Sequence, residues 1–306
     1  MRRVLLFSLL ATSAAIADDG KFFPADARLE KLWSEGEFTE GPCLGPDGCI
    51  YFSDIGNRIM KFDPTAGKTT VFRDPSGRSN GMKFDREGRL IACEGANTGG
   101  NRRISITEKD GTVKTLADSF MGKRFNSPND LALDAKGRVY FTDPRYVGSE
   151  KRELDHESVY RIDPDGTVTR IISDVQKPNG IVVSADQKTL YVADSNSAPK
   201  GNRFLLAYPL KEDGTVGLSK KLHDFGDDRG IDGMTVTVDG HIVATAGAGK
   251  TAGISVFTPD GKKVGFLPTP EDPSNCCFGG KDLKTLYITA GKSLYRVGTT
   301  MTGVGK

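Results

Sequence analysis

The feature that most constrains the fold of this 306-residue chain is a turn-and-strand unit that occurs six times. In each copy a tight turn precedes a short strand of alternating or wholly apolar residues. The third copy is the clearest: within residues 125–143, two short apolar runs flank a Lys-Gly turn, as in a β-hairpin. The copies occupy residues 45–54, 85–94, 134–143, 184–194, 237–247 and 279–290.

Further short apolar segments follow the turns, so that each unit holds about four strands. A repeat of roughly 40 to 50 residues with this content is typical of a propeller blade. No segment beyond residue 17 shows sustained helical periodicity. We therefore predict an all-β fold, a six-bladed β-propeller. Because the last unit lacks an outermost strand, residues 27–35 are expected to supply it and to close the ring.

The N-terminus is predicted to be a targeting segment rather than part of the fold. Arg2 and Arg3 precede a short apolar run, and Ala15-Ile16-Ala17 forms a small-x-small cleavage site. Residues 1–17 are therefore expected to be a signal peptide of bacterial type, with an ordered N-terminal helix as the alternative. Residues 18–306 then form a single propeller domain, which is periplasmic or secreted and has no membrane segment after cleavage.

Charge and cysteine usage narrow the function classes. The net charge of +2 carries no basic stripe, so no nucleic-acid partner is expected. Export permits disulfides, and Cys43 and Cys49 flank a turn that they could bridge. Cys276 and Cys277 are adjacent and Cys93 stands apart, so at least one thiol stays free. Without a Cys-x-x-Cys motif or a nearby histidine, we expect buried cysteines rather than a zinc site or a nucleophile.

One polar residue precedes the turn in every unit, and in four units it lies eight residues before the turn glycine. Because the first strand of a blade lines the central channel, six equivalent positions should face one channel mouth. Two carboxylates and four amides suit a hard divalent cation, calcium above all, whereas zinc prefers nitrogen or sulfur. The alternative is that these are turn residues, although glutamate is not a turn former. The six are Glu40, Asn80, Asn129, Asn179, Asp232 and Asn275.

Two further motifs are discounted. Residues 244–251 (ATAGAGKT) are similar to a phosphate-binding loop, but that loop needs a following helix, and residues 253–257 are predicted to form a strand. Residues 77–81 (GRSNG) match G-x-S-x-G, but a nucleophile elbow needs a following helix and no helical periodicity follows them, so a nucleophile-elbow hydrolase has no support.

Several motifs together resemble the senescence-marker protein/gluconolactonase/regucalcin-like family, most closely its exported bacterial members. They are KRFNSPND (123–130), YFTDPRY (140–146), KPNGI (177–181), GIDGM (230–234) and SNCCFGG (274–280). The resemblance implies a six-bladed propeller that hydrolyses sugar lactones such as gluconolactone. It also implies a divalent metal, usually Ca²⁺, with Zn²⁺, Mn²⁺ or Mg²⁺ as alternatives.

The resemblance also implies residue roles. Glu40, Asn179 and Asp232 match the metal ligands, Asn129 completes the site or holds substrate, and Asp232 matches the general base. Substrate contacts are expected from loop residues, which by this resemblance are Asn80, Asn129, Glu94 and Arg103, with Arg102 and Tyr146 also considered.

The resulting hypothesis is a metal-dependent lactonase acting on a small-molecule lactone, with a metal-polarised ester carbonyl and Asp232 as general base. Two alternatives remain open at this point: a phosphotriesterase-like hydrolase, and a non-catalytic binding propeller stabilised by calcium. The sequence leaves the lactone and the oligomeric state open.

Overall fold

The computed structural model describes residues 20–95, 99–149 and 151–305, and these form six four-stranded antiparallel sheets arranged as a six-bladed β-propeller. The predicted fold class and blade count are confirmed. The strands preceding and forming the first three blades are β1 (Glu30–Trp33), β2 (Thr39–Leu44), β3 (Ile50–Asp54), β4 (Arg58–Asp63), β5 (Lys68–Arg73), β6 (Ser79–Phe84), β7 (Leu90–Glu94), β8 (Arg103–Thr107), β9 (Val113–Ala117), β10 (Ser119–Phe120), β11 (Lys123–Arg124), β12 (Leu131–Leu133), β13 (Val139–Asp143), β14 (Ser158–Ile162) and β15 (Val168–Ile172).

The remaining strands form the last three blades. They are β16 (Pro178–Val183), β17 (Thr189–Ser195), β18 (Arg203–Pro209), β19 (Lys220–Asp224), β20 (Met234–Val236), β21 (Ile242–Ala246), β22 (Gly253–Phe257), β23 (Lys263–Pro268), β24 (Pro273–Gly279), β25 (Thr285–Ala290) and β26 (Ser293–Gly298). In the first five blades the chain runs from the innermost to the outermost strand, and each strand pairs with the next.

The sixth blade closes the ring with a strand from the other end of the chain. Its order is β24-β25-β26-β1, and Glu30 lies opposite Arg296 in the β1–β26 pair. The ring of Trp33 packs edge-on against Phe52 of the first blade, with ring centroids 5.3 Å apart. The predicted closure by an N-terminal strand is therefore confirmed, and β1 covers the outer edge of β26.

The hydrophobic core is divided into six clusters, each lying between two neighbouring blades. Between the second and third blades, for example, Cys93 and Ile104 pack with Phe125 and Phe141. Between the sixth and first blades, Tyr287 packs with Phe62. Because each sheet buries both faces against its neighbours, the middle strands are nearly continuous apolar runs, as the repeat had suggested.

Some local features differ from the sequence expectations. A two-stranded hairpin, β10–β11, is inserted between the second and third blades. No disulfide forms within the described residues: the register places Cys43 opposite Tyr51 rather than Cys49, and all five cysteines are buried. The loop after β21 makes one 3₁₀ turn, Gly249–Thr251, and then enters β22. The predicted strand therefore follows this loop, which agrees with the rejection of a phosphate-binding loop.

The proposed signal peptide, residues 1–17, lies outside the described residues. Within the described part of the chain, no helix is long and apolar enough to cross a membrane.

Candidate functional site

The six predicted polar residues lie where the innermost strands begin, at one end of the central channel, which we call the upper mouth. Glu40, Asn80, Asn179 and Asn275 lie near the start of β2, β6, β16 and β24. Asn129 precedes β12 by two residues, and Asp232 precedes β20 by two. Residues as far apart in sequence as 40 and 275 therefore share one mouth.

Buried acids at the ends of the second strands hold the loops that lead into these positions. Asp54 accepts a hydrogen bond from the backbone N–H of Glu37 (2.9 Å), Asp143 from that of Ser127 (2.7 Å), and Asp194 from that of Lys177 (2.7 Å). Each bond lies two or three residues before a site residue. These bonds satisfy backbone donors that would otherwise be buried without a partner, so each loop is held in a defined position.

Glycines after the site residues allow neighbouring innermost strands to approach closely. A Cβ at Gly41 would overlap the carbonyl oxygen of Asn80, and one at Gly180 would overlap that of Asp232. Gly41 also has a positive φ of 50°, which disfavours other residues. The Glu-Gly, Asn-Gly and Asp-Gly pairs of the sequence therefore bring the upper ends of the strands together, and are more than turn signals.

Asp232 is held by two side chains from different parts of the chain. Its Oδ1 accepts a hydrogen bond from Asn179 Nδ2 at 2.8 Å, and its Oδ2 pairs with the Arg229 guanidinium. Arg229 is in turn fixed by the carbonyl oxygens of Pro273 (2.8 Å) and Gly247 (3.2 Å). Burial raises the pKa of Asp232, while Arg229 and Asn179 oppose the increase. Sequence analysis missed Arg229, since nothing local marks it as a partner of Asp232.

Glu40 is the second carboxylate of the upper mouth. Only 4% of its surface is exposed, and its Oε2 accepts one backbone hydrogen bond, from Gly41 at 2.9 Å. Burial, then the negative charge of Asp232, raise its pKa well above the ordinary value, and Asp130 adds to the increase. The structure therefore brings the carboxylates of Glu40 and Asp232 close enough to repel each other, and a cation bound between them would reduce that repulsion.

Asp130 is a third buried acid, directly below these two. It occupies the position of the glycine that follows the site residue in four other blades, and this replacement is the sequence signal that could have identified it. Its Oδ1 accepts the N–H of Leu131 (2.8 Å), and its Oδ2 accepts a hydrogen bond from Asn275 of the sixth blade (3.3 Å). The Asp130–Asn275 bond joins opposite blades and so forms a floor beneath the upper mouth.

Two predicted amides and one aromatic residue remain available to a ligand. The side chains of Asn80 and Asn129 are half-buried and make no hydrogen bond within the described residues. The Tyr146 hydroxyl donates to the Ser195 carbonyl (3.0 Å) and also interacts with Asn179. Although 41% of Tyr146 is exposed, its hydroxyl is densely surrounded, and burial followed by the charge of Asp232 raises its pKa. Tyr146 therefore stays protonated at the rim of the site.

Glu94 and Arg103, predicted as substrate contacts, are paired with each other instead of with the upper-mouth residues. Glu94 is fully buried and accepts hydrogen bonds from Arg103 Nε (2.7 Å), Arg73 (2.8 Å) and Asn101 (2.6 Å). Arg102 is buried and donates to the carbonyl of Phe125 (2.7 Å). Within the described residues these contacts link the second blade to β5 of the first blade and to the segment before β12, so the substrate role of Glu94 and Arg103 stays a prediction.

The donor set of the upper mouth fits a hard divalent cation. Among the described residues, no three His, Cys, Asp or Glu side chains cluster as a metal site would require. The set here is of another kind, two buried carboxylates (Glu40 and Asp232) with amide oxygens (Asn129 and Asn179). Burial raises the pKa of both carboxylates and the charge of Asp232 adds to the increase at Glu40, and an ion coordinated by oxygen would offset both effects.

The chain is similar to several known proteins. Residues 38–292 match the model of the SMP-30/Gluconolactonase/LRE-like region. A gluconolactonase from Zymomonas mobilis is 33% identical, with 90% of this chain and 82% of the relative covered. A pentonolactonase from Haloferax volcanii is 28% identical, over 82% of this chain and 80% of the relative. A solved gluconolactonase from Xanthomonas campestris superposes with a TM-score of 0.80 at 31% identity, covering 90% of each chain.

Proposed function

Because the chain belongs to the SMP-30/gluconolactonase/LRE-like family, we propose that it is a hydrolase of sugar lactones, with gluconolactone as the first candidate substrate. The observation that carries the proposal is the buried pair Glu40–Asp232, with Asn179 hydrogen-bonded to Asp232 at 2.8 Å. This pair combines a cation-binding set with a candidate base.

Glu40, Asn129, Asn179 and Asp232 would hold a divalent cation, and we propose Ca²⁺ because all their donor atoms are hard oxygens. When bound, the cation supplies a Lewis acid that polarises the ester carbonyl. Burial and the charge of Asp232 raise the pKa of Glu40, and a bound divalent ion would offset both effects.

Asp232 would act as the general base. Asn179 and Arg229 each bond one carboxylate oxygen, so the carboxylate is held in one orientation and keeps a lone pair free for a water proton. Water adds to the lactone carbonyl carbon while its proton passes to Asp232. The acyl C–O bond of the ring then breaks, and the leaving alkoxide takes a proton, so that lactone and water give one hydroxy acid.

The remaining upper-mouth groups suit a polyhydroxylated substrate. The Asn80 and Asn129 amides each offer a donor and an acceptor, and Tyr146 keeps its hydroxyl proton because its pKa is raised. Such groups bond sugar hydroxyls without a net charge. We also propose that the protein is exported, from the signal-peptide pattern of residues 1–17, which fractionation of expressing cells would test.

The mechanism is tested by Asp232→Asn, which keeps the side-chain shape but removes the base. We expect kcat for gluconolactone to fall roughly 10²- to 10⁴-fold, the usual contribution of general-base catalysis. Asp260→Asn, at an exposed turn of the same blade, is the matched control and should keep full activity. Activity should disappear with a chelator and return with Ca²⁺.

The assay is a pH-stat measurement on aldonolactones, with a phosphotriester beside them. Retention of more than a tenth of wild-type activity by Asp232→Asn would refute the base assignment. Turnover of the phosphotriester alone would overturn the lactonase proposal, and a melting-temperature increase with calcium but no turnover would favour a binding propeller.

A further inference from the structure

A second cavity opens at the end of the channel opposite the upper mouth, and we call it the lower cavity. It has a volume of about 970 Å³, which is in the range of small-molecule sites. One apolar residue from the end of each innermost strand lines it: Leu44, Phe84, Leu133, Val183, Val236 and Phe278. None of these residues belongs to the proposed lactonase site.

Each of the five acids that line the lower cavity takes part in an ion pair. Arg89 pairs with Asp85 (2.7 Å) and Glu87 (3.2 Å), and Lys114 pairs with Glu108 (3.0 Å). Asp134 pairs with Arg138 (2.5 Å), and Asp163 pairs with Arg161 (2.7 Å). These five carboxylates share four basic partners, so these ion pairs leave one negative charge uncompensated.

Three cations of the same lining have no carboxylate partner within the described residues. Arg86 is exposed at the rim, and Lys136 bonds only the carbonyl oxygen of Glu212, at 2.7 Å. Lys83 is half-buried and makes neither a hydrogen bond nor an ion pair in the described part of the chain. The surplus charge of the cavity is positive.

Lys83 lies in the wall of the cavity, on β6 between the buried Met82 and Phe84 of the apolar ring. Its charge lowers the pKa of Asp130 and opposes the burial that raises the pKa of Cys276 to about 12. Lys83 and Asp130 are therefore close enough for their charges to interact, although they form no direct ion pair. A half-buried ammonium that forms no direct ion pair, beside apolar walls, is a binding site for an anion with an apolar body.

We propose that the lower cavity binds an organic anion of the fatty-carboxylate class, with the carboxylate at Lys83 and the hydrocarbon chain against the apolar ring. The ring provides one contact surface per blade, so a flexible chain packs without a specific shape. Arg86 and Lys136 at the rim attract the anion toward the cavity.

The test is isothermal titration calorimetry of the full chain with sodium decanoate below its micellar concentration. We expect saturable binding to wild type, at least tenfold weaker for Lys83→Met and weaker for Arg86→Met. Lys250→Met, at an exposed position outside the cavity, and Asp232→Asn should bind as wild type does. Decyltrimethylammonium, of equal chain length and opposite charge, should bind at least tenfold more weakly than decanoate.

Ala185→Trp places bulk at the cavity wall without changing charge and should also weaken decanoate binding, which keeps the proposal testable if Lys83→Met folds poorly. Equal decanoate affinity in wild type, Lys83→Met and Ala185→Trp would overturn the proposal, as would equal affinity for the cationic detergent. Asp232→Asn changes only the upper mouth, since Asp232 does not line the lower cavity. Absence of decanoate binding would therefore not count against the lactonase proposal.

Discussion

Replacement of Glu40 by Gln should stabilise the metal-free protein while it removes activity. The carboxylate is 4% exposed, receives one backbone hydrogen bond, and faces the charge of Asp232. Effective desolvation costs several kcal/mol per buried ion, and the Gly41 N–H, which can also donate to Gln, offsets part of this cost. We therefore expect the free energy of unfolding to rise by about 1–3 kcal/mol at pH 8.

The pH dependence follows from the direction of the pKa shift. Because the pKa of Glu40 is higher in the folded protein than in the unfolded chain, the folded state binds this proton more tightly. The wild-type protein is then relatively stable below the ordinary pKa and loses that contribution as the pH rises through the raised value. The advantage of Glu40→Gln should accordingly vanish in acid and grow toward pH 8.

Calcium should reverse the order of stability. For wild type, a ligand at 100 times its Kd adds about 2.7 kcal/mol to the free energy of unfolding. Glu40→Gln has lost one of two carboxylate ligands and should gain much less. Urea unfolding with chelator and with calcium, across pH, measures both effects, and Glu35→Gln at an exposed position is the control. A metal-free Glu40→Gln protein that is less stable than wild type at pH 8 would refute this reasoning.

Two further predictions concern how the blades hold the site. Glu94→Gln should lower the free energy of unfolding by about 3–5 kcal/mol, because it leaves Arg73 and Arg103 without their buried counterion. Urea unfolding measures this change, with Glu87→Gln at an exposed ion pair as the control. A loss below about 1 kcal/mol would contradict the prediction. Gly180→Ala should lower the free energy of unfolding by about 1–3 kcal/mol and reduce lactone turnover, because its Cβ would displace the Asp232 backbone. Gly298→Ala, where the added methyl group meets open space, should change neither quantity. Equal stability and turnover in the two variants would count against the close approach of Gly180 to Asp232.

Local signals in the sequence were enough for the architecture. The repeated turn glycines and short apolar runs have the period of a blade, and residues 27–35 carry the apolar content of a missing strand, which the pairing of Glu30 with Arg296 confirms. The equal spacing of Glu40, Asn129 and Asp232 from their turns was sufficient to place them at one mouth, because equivalent positions in a closed ring face the same axis.

Side-chain partners could not be obtained in the same way. Whether the Glu94 carboxylate contacts a ligand or the Arg103 guanidinium depends on how the end of the strand is oriented. The sequence does not distinguish the two arrangements. The bond from Asn275 to Asp130 joins residues 145 positions apart, and the ion pair of Arg229 with Asp232 depends on a loop conformation. The sequence by itself determined the six-fold repeat, its closure and the polar set, since these are periodic and local. Only the tertiary structure decided which charges meet, because charge pairing depends on distances that the folded ring alone creates.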